Sequence, residues 1–381
     1  MILNFKYRLK PTKEQESALI QHCFISNQAW NHILSIKIKN LSRKNGFTDF
    51  NLIYKSFLLS LEKRQLNSNS GLIQCSLLNC EKTFQQFYKK KRENGEQGFP
   101  KFKSSKFIEQ SFEFKNQGIS ITDKYFKIMK MKIKWNYHRE VPGKVKKVVI
   151  KRESDGKFYV ILSVEVEQIN SIKTGLSCGI DMNINNISIA SSAGETVLKT
   201  ITKLEKYNKK YMKIQRELSK RYEKRSKSKN TKKIQKKLNK IHVKVRNVKE
   251  DFFHKLSKEI VNNFDLIRIE KLEKKKMKET APSVRMRRNI AEVSWDSLVQ
   301  KIKYKAEMQG KVVEEVNPAY SSQRCNECGN INKKNRKSQE KFECMSCGHK
   351  DNADKNAAKN ILDYGKWFLE QKTLWQSRDC Q

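Results

Sequence analysis

No apolar run in this chain approaches the roughly 20 residues that a membrane-spanning helix needs. That gap argues against any membrane partner. The opening Met1-Ile-Leu-Asn-Phe-Lys6 lacks the apolar core of a secretory signal, so a cytoplasmic protein is expected. Five of the nine cysteines, Cys23, Cys75, Cys80, Cys178 and Cys380, have no framework spacing. They read as reduced thiols rather than as a disulfide scaffold. No internal repeat is present, which sets aside solenoids and arrays. Negative charge is scarce: 40 Asp and Glu stand against 81 Lys and Arg, a net charge of +41. A compact particle so charged repels itself, and a polyanion is the natural remedy. Nucleic acid, or a ribosome-like setting, is therefore the expected partner class, with binding that weakens steeply as salt rises.

What is present divides into several modules, since 381 residues exceed one compact core. Leu3, Phe5, Tyr7 and Leu9 alternate with polar residues up to Pro11, a half-buried strand. Thr12 to about Arg92 reads as helices, with Leu19, Cys23, Trp30 and Leu34 on one seam and Ile73, Leu77, Phe84 and Phe87 on another. Strands follow from Gly98. The clearest pair, Val145 to Arg152 and Phe158 to Val166, flanks Asp155-Gly156, a hairpin signal. Strands on both sides of the helices suggest a helical insertion into a small β-domain. Leu176 to Val197 reads as another hairpin. Two helical seams then bracket Lys224 to Thr231 as an antiparallel helical hairpin, with Asn230 or Thr231 as the expected cap. A strand to Glu270, a basic and mobile stretch from Lys271 to Asn289, a helix from Ser294, a strand from Val312 to Val316 and a last helix from Asn356 to about Leu369 complete the reading.

Four cysteines carry the sharpest chemistry. Cys325-x-x-Cys328 and Cys344-x-x-Cys347 are separated by fifteen residues, the pattern of a tetrahedral zinc site. Four thiolates leave no open position, so one structural Zn²⁺ is expected; His349 beside the last knuckle is the lesser alternative ligand. Three acids lie where strands end or helices begin: Asp181, Glu270 and Asp354. Each alone reads as a turn, an ion pair or a cap. Together they suit phosphodiester hydrolysis assisted by two metal ions, which needs carboxylates converging on a rigid sheet.

The order Gly179-Ile-Asp181, Ile269-Glu270, the four cysteines and Asp354-x-Asn356-Ala-Ala resembles the TnpB family. These are RNA-guided DNA endonucleases of insertion sequences, related to the type V CRISPR effectors. The likeness spans nearly the whole chain and includes Phe5-Lys-Tyr-Arg8, Gly98-Phe-Pro-Lys-Phe-Lys103, Trp295-Asp296, Tyr304-Lys-Ala306 and Ser321-Ser-Gln323. The family often has Asp where Asn352 stands and Gly where Asn183 stands, so the turn beside the metal is expected to differ.

The resemblance implies an α+β multidomain protein. A wedge β-barrel-like domain (1–10 and 96–172) would carry a helical recognition insert (11–95). A RuvC-type, RNase H-like α/β nuclease domain would span 173–320, with its helical hairpin at 200–263, and resume at 350–369. A zinc ribbon (321–349) would be inserted into it, and 370–381 would form a tail without a readable motif. Asp181, Glu270 and Asp354 would be the catalytic set, holding Mg²⁺, a pair of ions. Expected partners are a guide RNA from the transposon end and a double-stranded DNA target with a short flanking motif, bound by a monomer in a nucleoid-associated ribonucleoprotein of a prokaryote. Candidate contacts are Gln74, Ser76 and Asn79 on the helical insert, because amide side chains suit adenine edges. Arg324, Lys333, Lys334 and Arg336 on the ribbon are candidate phosphate contacts. Aromatics among the basic residues, Phe102, Phe107, Phe112, Phe114, Tyr125, Phe126, Trp135 and Tyr137, suit either base stacking or core packing. Competing readings are a compact CRISPR effector, a repressor without chemistry and a strand-joining transposase.

Overall fold

The computed structural model describes residues 1–42, 49–63, 66, 69–92, 98–104, 110–115, 118–169, 171–184, 186–202, 204–223, 228–317, 319–338 and 340–364. Phe107, the centre of the 224–231 break and the tail from 365, with Cys380, lie outside the described residues. The chain divides into Met1–Val166 and Glu167–Gln381.

The first unit is built on an antiparallel sheet. Its strands are β1 (Ile2–Lys10), β2 (Gln110–Lys115), β3 (Ile119–Ile121), β4 (Tyr125–Ile128), β5 (Met131–Trp135), β6 (Lys144–Arg152) and β7 (Phe158–Glu165), in the order β2-β6-β7-β1-β5-β4-β3. Strand β1 serves both sides: residues 2–8 pair with β7, and Leu9 and Lys10 pair with β5. The Asp155-Gly156 turn closes the β6–β7 hairpin with Gly156 at φ 87°, a conformation that suits glycine. Between β1 and β2 come α1 (Lys13–Ser42), α2 (Phe50–Glu62) and α3 (Ser70–Arg92). Leu19, Cys23, Ile33, Leu72, Ile73 and Leu77 are fully or almost fully buried there. The aromatic list resolves largely into core: Phe112, Phe114, Phe126 and Trp135 are buried, whereas Phe102 is 57% exposed.

The second unit holds a mixed sheet in the order β10-β9-β8-β11-β12. Strands β8 (Ser177–Met182), β9 (Asn186–Ser191) and β10 (Thr196–Thr200) form an antiparallel meander, one strand more than the expected hairpin. Strands β11 (Leu266–Glu270) and β12 (Val312–Val316) continue it in parallel. Helices α4 (Leu204–Glu223) and α5 (Lys229–Asn263) form the helical hairpin; pairs such as Tyr222 with Gln235 and Tyr211 with His242 show it to be antiparallel. Its cap is Ser228, whose Oγ accepts from Thr231 N, rather than Asn230 or Thr231. The basic stretch after Glu270 is ordered as α6 (Lys274–Glu279) and α7 (Val284–Glu292), the latter capped by Ser283. Helix α8 (Trp295–Met308) follows, and α9 (Ala353–Leu362) closes the unit. Residues 167–172, expected in the first module, belong here: Ile169 N donates to Met308 O and Ser171 Oγ to Gln309 O.

Strand alternation decides which side of this sheet does what. Cys178, Ile180, Ile267 and Ile269 join Phe253, Leu256 and Ile260 of α5 and Trp295, Leu298 and Ile302 of α8 in one core. Residues of the other parity, Gly179 and Arg268, meet α9: Arg268 Nη1 donates to Leu362 O. Because successive side chains point to opposite faces, Asp181 and Glu270 share the α9 side.

Candidate active site and zinc ribbon

Register completes what alternation begins. In the parallel β8–β11 pair Ile180 lies beside Ile269, so Asp181 and Glu270 are neighbours at the same strand ends. Their carboxyls are close enough for each to perturb the other's ionisation. Asp354 arrives from the first turn of α9, which Asn352 caps by accepting from Asp354 N (2.9 Å) and Lys355 N (3.2 Å). Asp181 and Asp354 are 7% and 1% exposed, and such buried carboxylates need a compensating charge or a proton. Burial, and then the charge of Asp181, push Glu270 up to about 8; burial likewise raises Asp181. Without a cation, therefore, the pair keeps a proton at neutral pH.

Three polar groups orient the acids. Asn183 Nδ2 donates to Asp181 Oδ2 (2.8 Å), and the Asn183 carbonyl accepts from Trp295 Nε1 (3.2 Å). The residue that departs from the family's glycine thus supports the first acid. Asn186 Nδ2 donates to Asp354 Oδ2 (3.0 Å), and Arg336 Nη2 reaches Asp354 Oδ1 at 3.5 Å. Sequence reasoning missed Asn186: an Asn at the first position of a strand carries no signal, and its partner is 168 positions away.

The donor set suits a hard divalent cation, since it is all oxygen, buried and short of positive charge. Among the described residues, however, only the four cysteines have ligand atoms within 4.8 Å of one another. The carboxylates converge without closing up, because Asp354 is drawn towards Asn186 and Arg336.

The ribbon is more nearly complete. Its sulfurs lie 3.8 Å apart for Cys325–Cys347 and 3.5 Å for Cys328–Cys344. A tetrahedron with Zn–S of about 2.3 Å has edges of about 3.8 Å, so the residues fit zinc. Each knuckle turns on a glycine with positive φ, Gly329 (75°) and Gly348 (72°), whose N–H bonds back to the first cysteine's carbonyl. Strands β13 (Lys341–Glu343) and β14 (Lys350–Asn352) pair beneath it. Buried Asn335 ties the knuckles together, donating to Gln323 O and Asn330 O and accepting from Met345 N. His349 stands outside the sulfur cluster, with Nε2 4.0 Å from Asp351.

The Asp-x-Asn-Ala-Ala run acquires a physical meaning. Buried Asn356 donates to Arg324 O and accepts from Asn326 N, while Asn360 donates to Ser321 O and Arg324 O. The two amides lock the first knuckle onto α9, and Ala357 and Ala358 let the helix lie close to the sheet. Arg324, expected on phosphate, instead donates Nη1 to Asn360 Oδ1 (2.9 Å) and acts as part of this lock. Arg336 faces Asp354, while Lys333 and Lys334 are exposed on a 3-10 turn.

The candidate reader residues of the first unit separate. Ser76 is 4% exposed and bonded to Ser26 Oγ and Leu72 O, so it is core and is corrected from the list of contacts. Asn79 donates to Glu113 Oε2 (3.0 Å), and Gln74 is exposed.

Comparison with known proteins fits this architecture. Family models match residues 1–46 ("Helix-turn-helix domain"), 161–281 ("Probable transposase") and 295–361 ("Cas12f1-like, TNB domain"). The first segment here is a strand followed by one long helix, β1 and α1. A candidate RNA-guided DNA endonuclease of Escherichia coli (strain K12), InsQ, is 29% identical over 98% of this chain and 94% of its own length. The TnpB-like protein L79 of Acanthamoeba polyphaga mimivirus is 32% identical over 59% of this chain and 45% of its own. The CRISPR-associated endodeoxyribonuclease Cas12f1 of Sulfoacidibacillus thermotolerans is 56% identical over 64 residues, 17% of this chain and 15% of its own length. A solved Cas12f1-sgRNA-target DNA complex superposes with a TM-score of 0.59 at 17% identity, covering 92% of this chain and 83% of that one, which shows a shared fold. Fold and ribbon thus define a mixed α/β protein that shares the fold of that complex's protein chain. Along nearly its whole length the chain is similar to InsQ, and over 59% of it to a TnpB-like protein.

Proposed function

We propose that this protein is an RNA-guided DNA endonuclease of the TnpB type, cutting DNA by phosphodiester hydrolysis. The observation that carries the reading is the convergence of Asp181, Glu270 and Asp354 on one side of the β8–β11 sheet, beside a ribbon locked to the same helix. Those three carboxylates would hold Mg²⁺, and the cysteines one structural Zn²⁺. A pair of Mg²⁺ ions bound there would supply Lewis acidity and an activated water.

The chain's own residues do the rest. Any proton that burial holds on Asp181 or Glu270 would have to leave as the site is loaded, because carboxylates act as ligands in their ionised form. Asn183 and Asn186 keep Asp181 and Asp354 turned inwards. Arg336, drawn from Asp354 to an entering phosphate, would neutralise negative charge as it builds up in the transition state. Lys333 and Lys334 would hold the strand near the ribbon. The first unit would serve as wedge and recognition lobe for the guide RNA and the flanking motif, with Gln74 as its exposed candidate reader. The particle would be a cytoplasmic, nucleoid-associated monomer carrying one guide.

The test is to express the chain with its native flanking DNA, purify it in high salt and sequence the bound RNA. One dominant species ending in a segment from outside the element, and Mg²⁺-dependent cutting of a matching duplex, support the reading. A smear of cellular RNA without guided cutting overturns it.

A further inference from the structure

Among the described residues, two other than glycine have a positive φ: Met129 at 48° and Tyr320 at 65°. Met129 lies in the two-residue turn between β4 and β5, where a hairpin calls for that conformation. Tyr320 closes no hairpin. A bulky residue held there is strained, and such strain persists only where the surroundings impose it, most often at functional sites.

The surroundings of Tyr320 do impose it. Just before it, Ala319 N donates to Asn317 Oδ1 (3.0 Å). Just after it, the Tyr320 carbonyl accepts from Gln323 N and Arg324 N, both at 2.9 Å, and the carbonyl of buried Ser321 accepts from Asn360 Nδ2 of α9 (2.9 Å). The backbone is clamped, yet the residue stays 44% exposed, and among the described residues its hydroxyl has no hydrogen bond. Its place in the fold is equally defined. In the parallel β11–β12 pair Glu270 lies beside Val316, and Lys271 N donates to Val316 O (2.9 Å). The chain therefore leaves β12 at the strand end that bears Glu270. Four residues, at most about 14 Å of chain, lead from Val316 to Tyr320. The next residue is tied to α9, the helix whose first turn carries Asp354.

An exposed ring next to carboxylates suited to phosphodiester hydrolysis has a natural partner, the flat face of a base in the strand being cut. Where guide pairing reads the sequence, contacts near the cut must accept any base. Stacking does so, because every base has a π-face. A ring whose backbone is already fixed also loses little freedom when the base arrives. We infer that Tyr320 positions the DNA strand to be cut, by stacking on one of its unpaired bases beside the acids. The inference rests on the cleavage reading and adds a substrate contact to it.

The test has two arms, both on the full chain. Without divalent cation, so that cutting does not enter, strands of about ten nucleotides containing 4-thiothymidine or 4-thiouridine are photocrosslinked and the adducts mapped. An adduct on Tyr320 with the deoxy-probe is expected; one with the ribo-probe alone would assign the ring to RNA and overturn the inference. With guide RNA and Mg²⁺, Tyr320→Leu and Tyr320→Gly should slow cutting of saturating matched DNA at least about fivefold, while Tyr320→Phe keeps the rate, as a stacked ring requires. The melting temperature of Tyr320→Gly should equal or exceed that of the wild type, because glycine takes the positive φ without strain. A lower one, with slowed cutting, would mark the ring as structural. Wild-type cutting by Tyr320→Leu, or a loss in Tyr320→Phe as large as in Tyr320→Leu, would overturn the inference. An adduct on Tyr320 in a protein that cuts nothing would instead overturn the cleavage reading and leave the base contact standing.

Discussion

Gly179 of β8 lies so close to Leu362 of α9 that a Cβ on the glycine would sit 2.3 Å from the Leu362 nitrogen and 2.4 Å from the Ala358 carbonyl oxygen. Backbone stands on the far side, so no flexible side chain can yield. The contact draws α9, and with it Asp354, onto the strand that carries Asp181. Gly179→Ala should therefore lower the melting temperature by roughly 5–10 °C, as an overpacking cost of about 2–3 kcal/mol implies for a unit of this size. It should also reduce cleavage in the folded fraction. Calorimetry and a cleavage assay on the same sample check both, and an unchanged melting temperature would contradict the packing.

Asp181→Ala should abolish cleavage and leave guide RNA bound, because the acid lies on the sheet's α9 side, outside the apolar core between the sheet and helices α5 and α8. Co-purified RNA and cutting of a matched duplex are measured together. Cutting by the purified variant would remove Asp181 from the site.

The raised Glu270 gives a pH signature. Its folded value of about 8 lies above the ordinary carboxylate value, so the folded state keeps a proton that the unfolded state has lost. The metal-free protein should thus lose stability as pH rises from about 4.5 to about 8, by an amount on the order of 3–5 kcal/mol. Glu270→Gln should flatten that slope and abolish cleavage. Added Mg²⁺ should displace the proton, so its stabilising effect should be larger at pH 8.5 than at pH 6. Urea titrations across pH, with and without Mg²⁺, follow all three.

The ribbon and its lock can be separated. Cys344→Ser should lose zinc and most soluble protein, since a structural site contributes folding energy directly. Asn360→Ala should keep one zinc per chain but remove the bonds to Arg324 and Ser321, costing about 1–3 kcal/mol and slowing cleavage. Zinc content beside melting temperature tells the two variants apart.

Arg336→Gln should leave zinc, fold and guide RNA intact and lower kcat by about a hundredfold, the scale for losing one donor aimed at developing charge. A change in KM alone would mark the side chain as a binding contact.

Much of this was legible because its signals are local. The Asp155-Gly156 hairpin, the glycine-ended knuckles and the alternation in β1 each depend on a few adjacent residues. The resemblance carried the three acids, and alternation with register explains why two of them meet. Ser76 misled because one helical position cannot tell a buried hydroxyl from an exposed one until its partner, Ser26, is packed against it. The stretch after Glu270 looked mobile because its lysines hide two short helices, and α6 has no side-chain cap to announce it.

By itself, then, the sequence determined the charge, the two Cys-x-x-Cys knuckles, the helical hairpin and the strands whose ends bear Asp181 and Glu270. These follow from composition and short-range periodicity. Only the tertiary structure decided that Arg324 locks the ribbon while Arg336 faces Asp354, that Asn186 steadies an acid 168 positions away, and that Tyr320 follows the strand end beside Glu270. Those choices depend on which surfaces pack together, and distant contacts leave no trace in the spacing of neighbouring residues.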